Sequence, residues 1–161
     1  MSSDVKLEII KSSPFSNELT DEQSRELAEI IETHKLEKDD VLISEGNTDH
    51  TLYVVISGSI AVAKSTSGGD SEVLHVLHAG ELAGAMGFID GCEHSATLRA
   101  IETTLVFSIE RSSFENMLKT QPEVVYVVMR GIIRSVHGIV RNMNNSHVEF
   151  SNYINKQHGR Y

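Results

Sequence analysis

The chain has 161 residues, a formal charge of −9, 40% apolar and 23% charged residues, no tryptophan, two prolines and one cysteine. This is globular composition: one domain of this size can bury about 70% of its unfolded surface, and disordered, collagen-like and disulfide-stapled chains are excluded. Residues 1–50 hold 13 acids and 5 bases and only residues 121–161 are net basic, which argues against a nucleic-acid-binding face. Such a face needs clustered lysine and arginine to displace counterions.

Residues 1–13 read as a lead segment with acid mixed among its bases and no apolar signal core. Thr20 then stands three residues before Gln23, with Asp21 and Glu22 between them. That is a capping box with acids at the positive end of a helix. Leu27, Ile30 and Ile31 follow at helical spacing, so the pattern predicts an amphipathic helix over 20–33 with an acidic, solvated outer face.

From 40 to 110 the chain breaks into short runs rich in Val, Ile, Leu and Thr. They fall at 41–44, 52–56, 59–64, 72–77, 96–101 and 104–109, and Ser67-Gly68-Gly69-Asp70 forms a hairpin signal between two of them. No helices alternate with these runs, so a sandwich or barrel is predicted rather than a parallel sheet.

After residue 111, Ser112 or Ser113 can cap a short helix through Lys119, and Pro122 suits the first turn of a longer one. In that longer helix Val125, Met129, Ile132, Val136, Ile139 and Met143 are spaced 4, 3, 4, 3 and 4. The average of about 3.5 marks a coiled-coil seam. Val124, Val128 and Val140 widen the stripe toward the domain's own barrel, while Gly131 and Gly138 would let a partner backbone approach. A parallel homodimer is the expectation, with the polar, Asn-rich residues 146–161 as a tail.

The segment between the fourth and fifth runs carries Gly80, Gly84, Gly87 and Gly91. Free amides at the start of a short helix there can face an anion. The order of motifs is more specific: Glu45-Gly46, Leu52 through Gly58, Gly80-Glu81-x-x-Gly84, Ser95-Ala96-Thr97-Leu98-Arg99-Ala100, and Phe114 opening the later helices. Over residues of about 14 to 145 this order resembles the cyclic-nucleotide-binding domain family.

The resemblance implies a mainly β domain with flanking helices. Its form is a double-stranded β-helix, or jelly-roll-like β-roll, with an N-terminal helix and C-terminal lid and dimerisation helices. It divides the chain into a lead segment (1–13), the β-roll (14–121), the long helix (122–145) and the tail (146–161), with no helix-turn-helix domain. It also implies a phosphate-binding cassette containing Gly84, Ala85, Met86, Gly87, His94, Ser95 and Ala96. In the family a Glu near the cassette's start accepts from the ribose 2′-hydroxyl and an Arg near its end pairs with the cyclic phosphate. Here Ala85 and His94 hold those positions. Ala85 has no acceptor and a mostly neutral His94 cannot reproduce a guanidinium fork. Glu81 falls at the position before the cassette, and Arg99 alternates with Ala96, Leu98 and Ala100 on the outer face of its strand.

The expectation is a cytoplasmic, non-enzymatic ligand-sensing module without membrane or direct nucleic-acid contact. It binds cAMP, cGMP or another anion weakly and signals to a downstream protein through its dimer helix. The alternatives are a ligand-free scaffold dimer, or a haem or redox sensor using Cys92, His94, His75 and His78. No structural metal is expected, since a single cysteine cannot build a thiolate zinc site. No Gly-x-Ser-x-Gly, His-Glu-x-x-His or Walker sequence points to an enzyme.

Overall fold

The computed structural model describes residues 3–158, with side chains described for 3–141. Helix α1 spans Ser3–Lys11, a 3₁₀ turn Ser16–Glu18, and α2 Asp21–Ile30. The capping box at Thr20 forms on both sides: Gln23 N donates to Thr20 Oγ1 at 3.2 Å, and Thr20 N donates to Gln23 Oε1 at 2.9 Å.

Helix α2 ends earlier than the pattern predicts. Ile31 is already extended (φ −79°, ψ 148°) and opens strand β1, Ile31–Leu36. β-branched Ile31 and Thr33 favour the strand. The pairing that wins is a six-residue antiparallel register running from Ile31 opposite Ile109 to Leu36 opposite Thr104.

Strands β2 (Val41–Ile43), β3 (Thr51–Ser57), β4 (Ile60–Ser65), β5 (Ser71–Leu77) and β6 (Leu82–Ala83) follow. Next come helix α3 (Ala85–Asp90), strands β7 (Thr97–Ala100) and β8 (Thr104–Glu110), helix α4 (Arg111–Asn116), a 3₁₀ turn Met117–Lys119, and α5 (Pro122–His158). The strands form two antiparallel four-stranded sheets, β1-β8-β3-β6 and β2-β7-β4-β5. This is the predicted β-roll with flanking helices.

Alternation along β3 and β8 splits the interior in two. Leu52, Val54, Phe107 and Ile109 turn outward to a core shared with α1, α2, α4 and the first half of α5. Val55 and Val106 turn inward to Ile43, Ile60, Leu77, Ala83 and Leu98 of the roll.

Three further expectations change. Helix α4 begins at Arg111 with Glu110 in the cap position, so neither Ser112 nor Ser113 caps it; the Ser112 hydroxyl instead donates to Glu110 Oε1 at 2.9 Å. Pro122 does open α5, but the helix runs through His158 rather than ending at 145, so the expected tail is helical over 146–158. At a rise of 1.5 Å per residue, its 37 residues extend about 55 Å.

The third change is the direction of the expected seam. Val125 and Ile132 are buried in the chain's own core together with Val124, Val127 and Val128, and Met129 and Val136 pack against them. Ile139 is exposed, and Met143 lies outside the residues whose side chains are described. Gly131 meets Phe15 of the same chain, and apart from the helix's own nearby backbone no described residue stands within 4 Å of a β-carbon added at Gly138.

Glu18 clasps this first half of α5 by pairing with Arg130 at 3.0 Å and with Arg134. The Arg134 hydrogen bond, with both guanidinium charges, holds the Glu18 carboxyl below its ordinary range. The clasp is therefore present above the ordinary carboxylate range and is lost on acidification through the depressed value. Among the described residues no helix is long and apolar enough to cross a membrane.

Candidate functional site

The cassette sits between β6 and β7. Gly84 precedes α3 in the left-handed conformation (φ 78°), and a β-carbon there would lie 2.6 Å from the Thr51 carbonyl oxygen. Only glycine admits both that turn and that approach. The amides of Ala85, Met86 and Gly87 occupy the first turn of α3, where no intrahelical acceptor exists. Helix α3 is anchored from behind by Phe88, 2% exposed, whose ring packs 5.2 Å from that of Phe114.

Residue 94 decides what the cassette can hold. The His94 backbone is fixed by two bonds to the preceding loop: its N donates to Asn47 O at 2.9 Å, and its O accepts from Gly46 N at 2.8 Å. That bridge turns the imidazole inward. His94 is 8% exposed and its ring lies on Gly87, where a β-carbon would be 2.8 Å from Cε1 and 3.0 Å from Nε2. Nε2 is buried without a hydrogen-bond partner among the described residues. A buried polar atom left unpaired costs about 1–3 kcal/mol, so this ring is held in by its backbone and not by its own chemistry.

Around it, Ala85 is half-buried with no polar atom to offer, Met86 is 58% exposed, Ser95 is exposed and Ala96 is buried. Of the positions expected to form the cassette, Gly87 and His94 are packed together, and His94, where the resemblance expects an arginine, points inward. Arg99 is exposed on β7 and donates to the Asp39 carbonyl at 3.1 Å, which is the surface role expected of it.

The histidines and the cysteine are not gathered into one site. His75 lies 3.6 Å from Glu81 on edge strand β5, His78 Nδ1 is 3.3 Å from Ser59 Oγ, and Cys92 is exposed. Behind the cassette, the Tyr53 hydroxyl donates to Asp49 Oδ2 at 2.8 Å. Burial, with the Asp49 bond, pushes this phenol up to about 12. The sequence reading passed over Tyr53; its place on the inner face of β3, in register with Ser108, is what puts it there.

A short helix entered through a left-handed glycine, set into a two-sheet roll and followed by a long helix, is the layout of an effector-binding β-roll domain. The chain belongs to the cyclic nucleotide-binding domain family, whose profile matches residues 33–121. Among curated proteins it is similar to the neuropathy target esterase sws of Drosophila melanogaster, 26% identical over 131 residues. That match takes in 76% of this chain but spans only 9% of the relative's length. Among solved structures it resembles a cyclic nucleotide-binding domain from Methylobacillus flagellatus, with TM-score 0.79 and 20% identity over 91% of this chain and 83% of the other. It also resembles the regulatory subunit of a cAMP-independent protein kinase A from Trypanosoma brucei, with TM-score 0.67 and 21% identity over 80% of this chain and 46% of the other.

Proposed function

We propose that this chain is a non-catalytic regulatory module of the cytoplasm that holds cyclic nucleotides far more weakly than its family does and passes its state through α5 to a second copy. The observation supporting the first part is the cassette: no carboxylate at Ala85, and the inward, buried His94 on Gly87. Hydrogen bonds to charged groups contribute about 1.5–3 kcal/mol each, so losing the ribose and phosphate contacts lowers affinity by roughly 10²–10⁴. A protein of this fold working without cAMP has a parallel in the Trypanosoma brucei relative, described as cAMP-independent.

Calorimetric titration with cAMP and with cGMP is expected to show no saturation below roughly millimolar ligand. Saturation at micromolar cyclic nucleotide would overturn the reading. The same His94 packing also favours a second reading, a partner-binding dimer that has kept only the fold. No change in melting temperature with either nucleotide at several-fold millimolar excess would select it.

The second part of the proposal rests on the outer face of α5. Tyr126, Ile133 and Val140 are exposed, Met129 and Val136 half-buried, and together they recur at spacings of 3, 4, 3 and 4. Tyr126, Ile133 and Val140 of this heptad stripe face away from the core that takes Val125 and Ile132, Met129 and Val136 lie at the core's edge, and residues 137–141 beyond are all exposed. A parallel pairing with a second copy would cover the stripe. Ile133→Asp is expected to turn a dimer into a monomer at micromolar concentration, as read by light scattering, whereas a wild-type protein that is monomeric there would sink the pairing.

A further inference from the structure

Tyr53 also forms part of the wall of a cavity of about 260 Å³ on the side of the first sheet turned toward the second. The register places Glu32 of β1 opposite Ser108 of β8, and Ser108 opposite Tyr53 of β3. His34 and Glu110 stand two residues along their strands on the same side, and Thr51 lies opposite Glu110. All six line the cavity.

The cavity's chemistry is one-sided. Ser108 is 6% exposed and its Oγ lies 2.8 Å from His34 Nε2. A hydroxyl has one donor and two acceptor sites, so this single bond leaves part of its capacity unused in either tautomer. Tyr53 spends its proton on Asp49 and keeps only lone pairs. Glu32 and Glu110 add two carboxylates, of which Glu110 accepts one bond from Ser112.

Among the described residues no lysine or arginine lines the cavity. The nearest in sequence are occupied: Lys35 pairs with Glu37 at 2.7 Å and Arg111 with Glu115 at 2.7 Å, while Lys6 Nζ donates to the Ile31 carbonyl at 2.6 Å. Acceptors and negative charge therefore exceed donors. The described residues include no group of three or more His, Cys, Asp or Glu side chains placed to hold a metal ion, so a bare cation is the poorer fit. The volume falls below the roughly 300 Å³ at which drug-sized ligands begin, which is too little for a nucleotide.

We propose that this cavity binds a small organic ammonium ion, its charged nitrogen shared between Glu32 and Glu110, its carbon frame against Tyr53, and a polar group at the Ser108–His34 pair. The site is independent of the cassette reading, since no cassette residue from 84 to 96 lines it.

Three probes on one frame test it by amide chemical-shift titration of the full chain: tyramine, neutral tyrosol and anionic 4-hydroxyphenylacetate. Tyramine is expected to shift the amides of Glu32, Ser108 and Glu110 saturably, tyrosol to bind several-fold more weakly, and the carboxylate not at all. Glu32→Gln and Glu110→Gln should each weaken tyramine roughly two- to fivefold, the scale of an exposed ion pair, while leaving the melting temperature unchanged. Raising the salt should weaken it too. Equal binding of the carboxylate, indifference to both substitutions, or no shift of these amides at roughly 10 mM tyramine would overturn the proposal.

Discussion

Ala85→Glu combined with His94→Arg is expected to raise affinity for cAMP by roughly 10²–10⁴ over the unsubstituted chain. The glutamate would enter at the first residue of α3, half-buried and next to the left-handed Gly84, where a carboxylate can accept from a ribose hydroxyl. The arginine would replace a ring whose Nε2 has no partner among the described residues. A guanidinium offers five donors in a planar fork and stays charged at any working pH, whereas imidazole offers one donor per nitrogen.

Removing the imidazole also vacates the space over Gly87, which the ring now fills to within 3 Å of a β-carbon position. That is the space a phosphate would need beside the first-turn amides of α3. The two substitutions act on different parts of one ligand, so each alone should recover only part of the gain. Calorimetry on the two single variants and the double variant reads this directly. A double variant no tighter than the unsubstituted chain would mean that the cassette backbone itself no longer fits a cyclic phosphate, and the scaffold reading would then stand.

The chain's local signals and its long-range ones were unequally legible. The Thr20–Gln23 box formed as read because a cap depends on residues within one turn. The end of α2 did not, since Ile31 leaves the helix to pair with Ile109, a partner that periodicity within the segment cannot report. Polar Glu32 looks like a helix surface until β8 lies alongside, and for the same reason the cavity it shares with His34, Ser108 and Tyr53 was invisible.

The 3.5-residue spacing in α5 was real, but two apolar stripes interleave there, one through Val125 and Ile132 and one through Tyr126 and Ile133. They differ by one residue, about 100° around the helix. Only the presence of the outer core decides which turns inward. At the cassette, motif order singled out Ala85 and His94. The burial of His94 depends on the bridge from its backbone to Gly46 and Asn47, which is a tertiary event.

Phe15→Ala is expected to destabilise the protein by about 3–5 kcal/mol, the usual cost of emptying a large aromatic site in a core. For a domain whose total stability is of the order of 5–15 kcal/mol, that is a substantial fraction. Phe15 is 1% exposed, and its ring edge lies where a β-carbon on Gly131 would be, 2.5 Å from Cε1 and 2.9 Å from Cδ1. The ring is thus a knob seated on the backbone of α5, and it fixes that helix before the exposed stretch begins.

Gly131→Ala pits two effects against each other. Alanine gains about 1 kcal/mol of helix propensity over glycine, while forcing an extra methyl into a closed core costs about 1–3 kcal/mol. A ring with almost no exposed surface cannot swing aside, so overpacking wins and the single variant should melt below the unsubstituted chain. With Phe15→Ala in place the obstruction is gone, and Gly131→Ala should become neutral or stabilising through its propensity. The double variant should therefore be less destabilised than the two single changes added together, by an amount denaturant melts can resolve. Strict additivity would show that Phe15 and Gly131 do not touch in solution, and that α5 is held to the domain by Val124, Val128 and Ile132 without the aromatic knob.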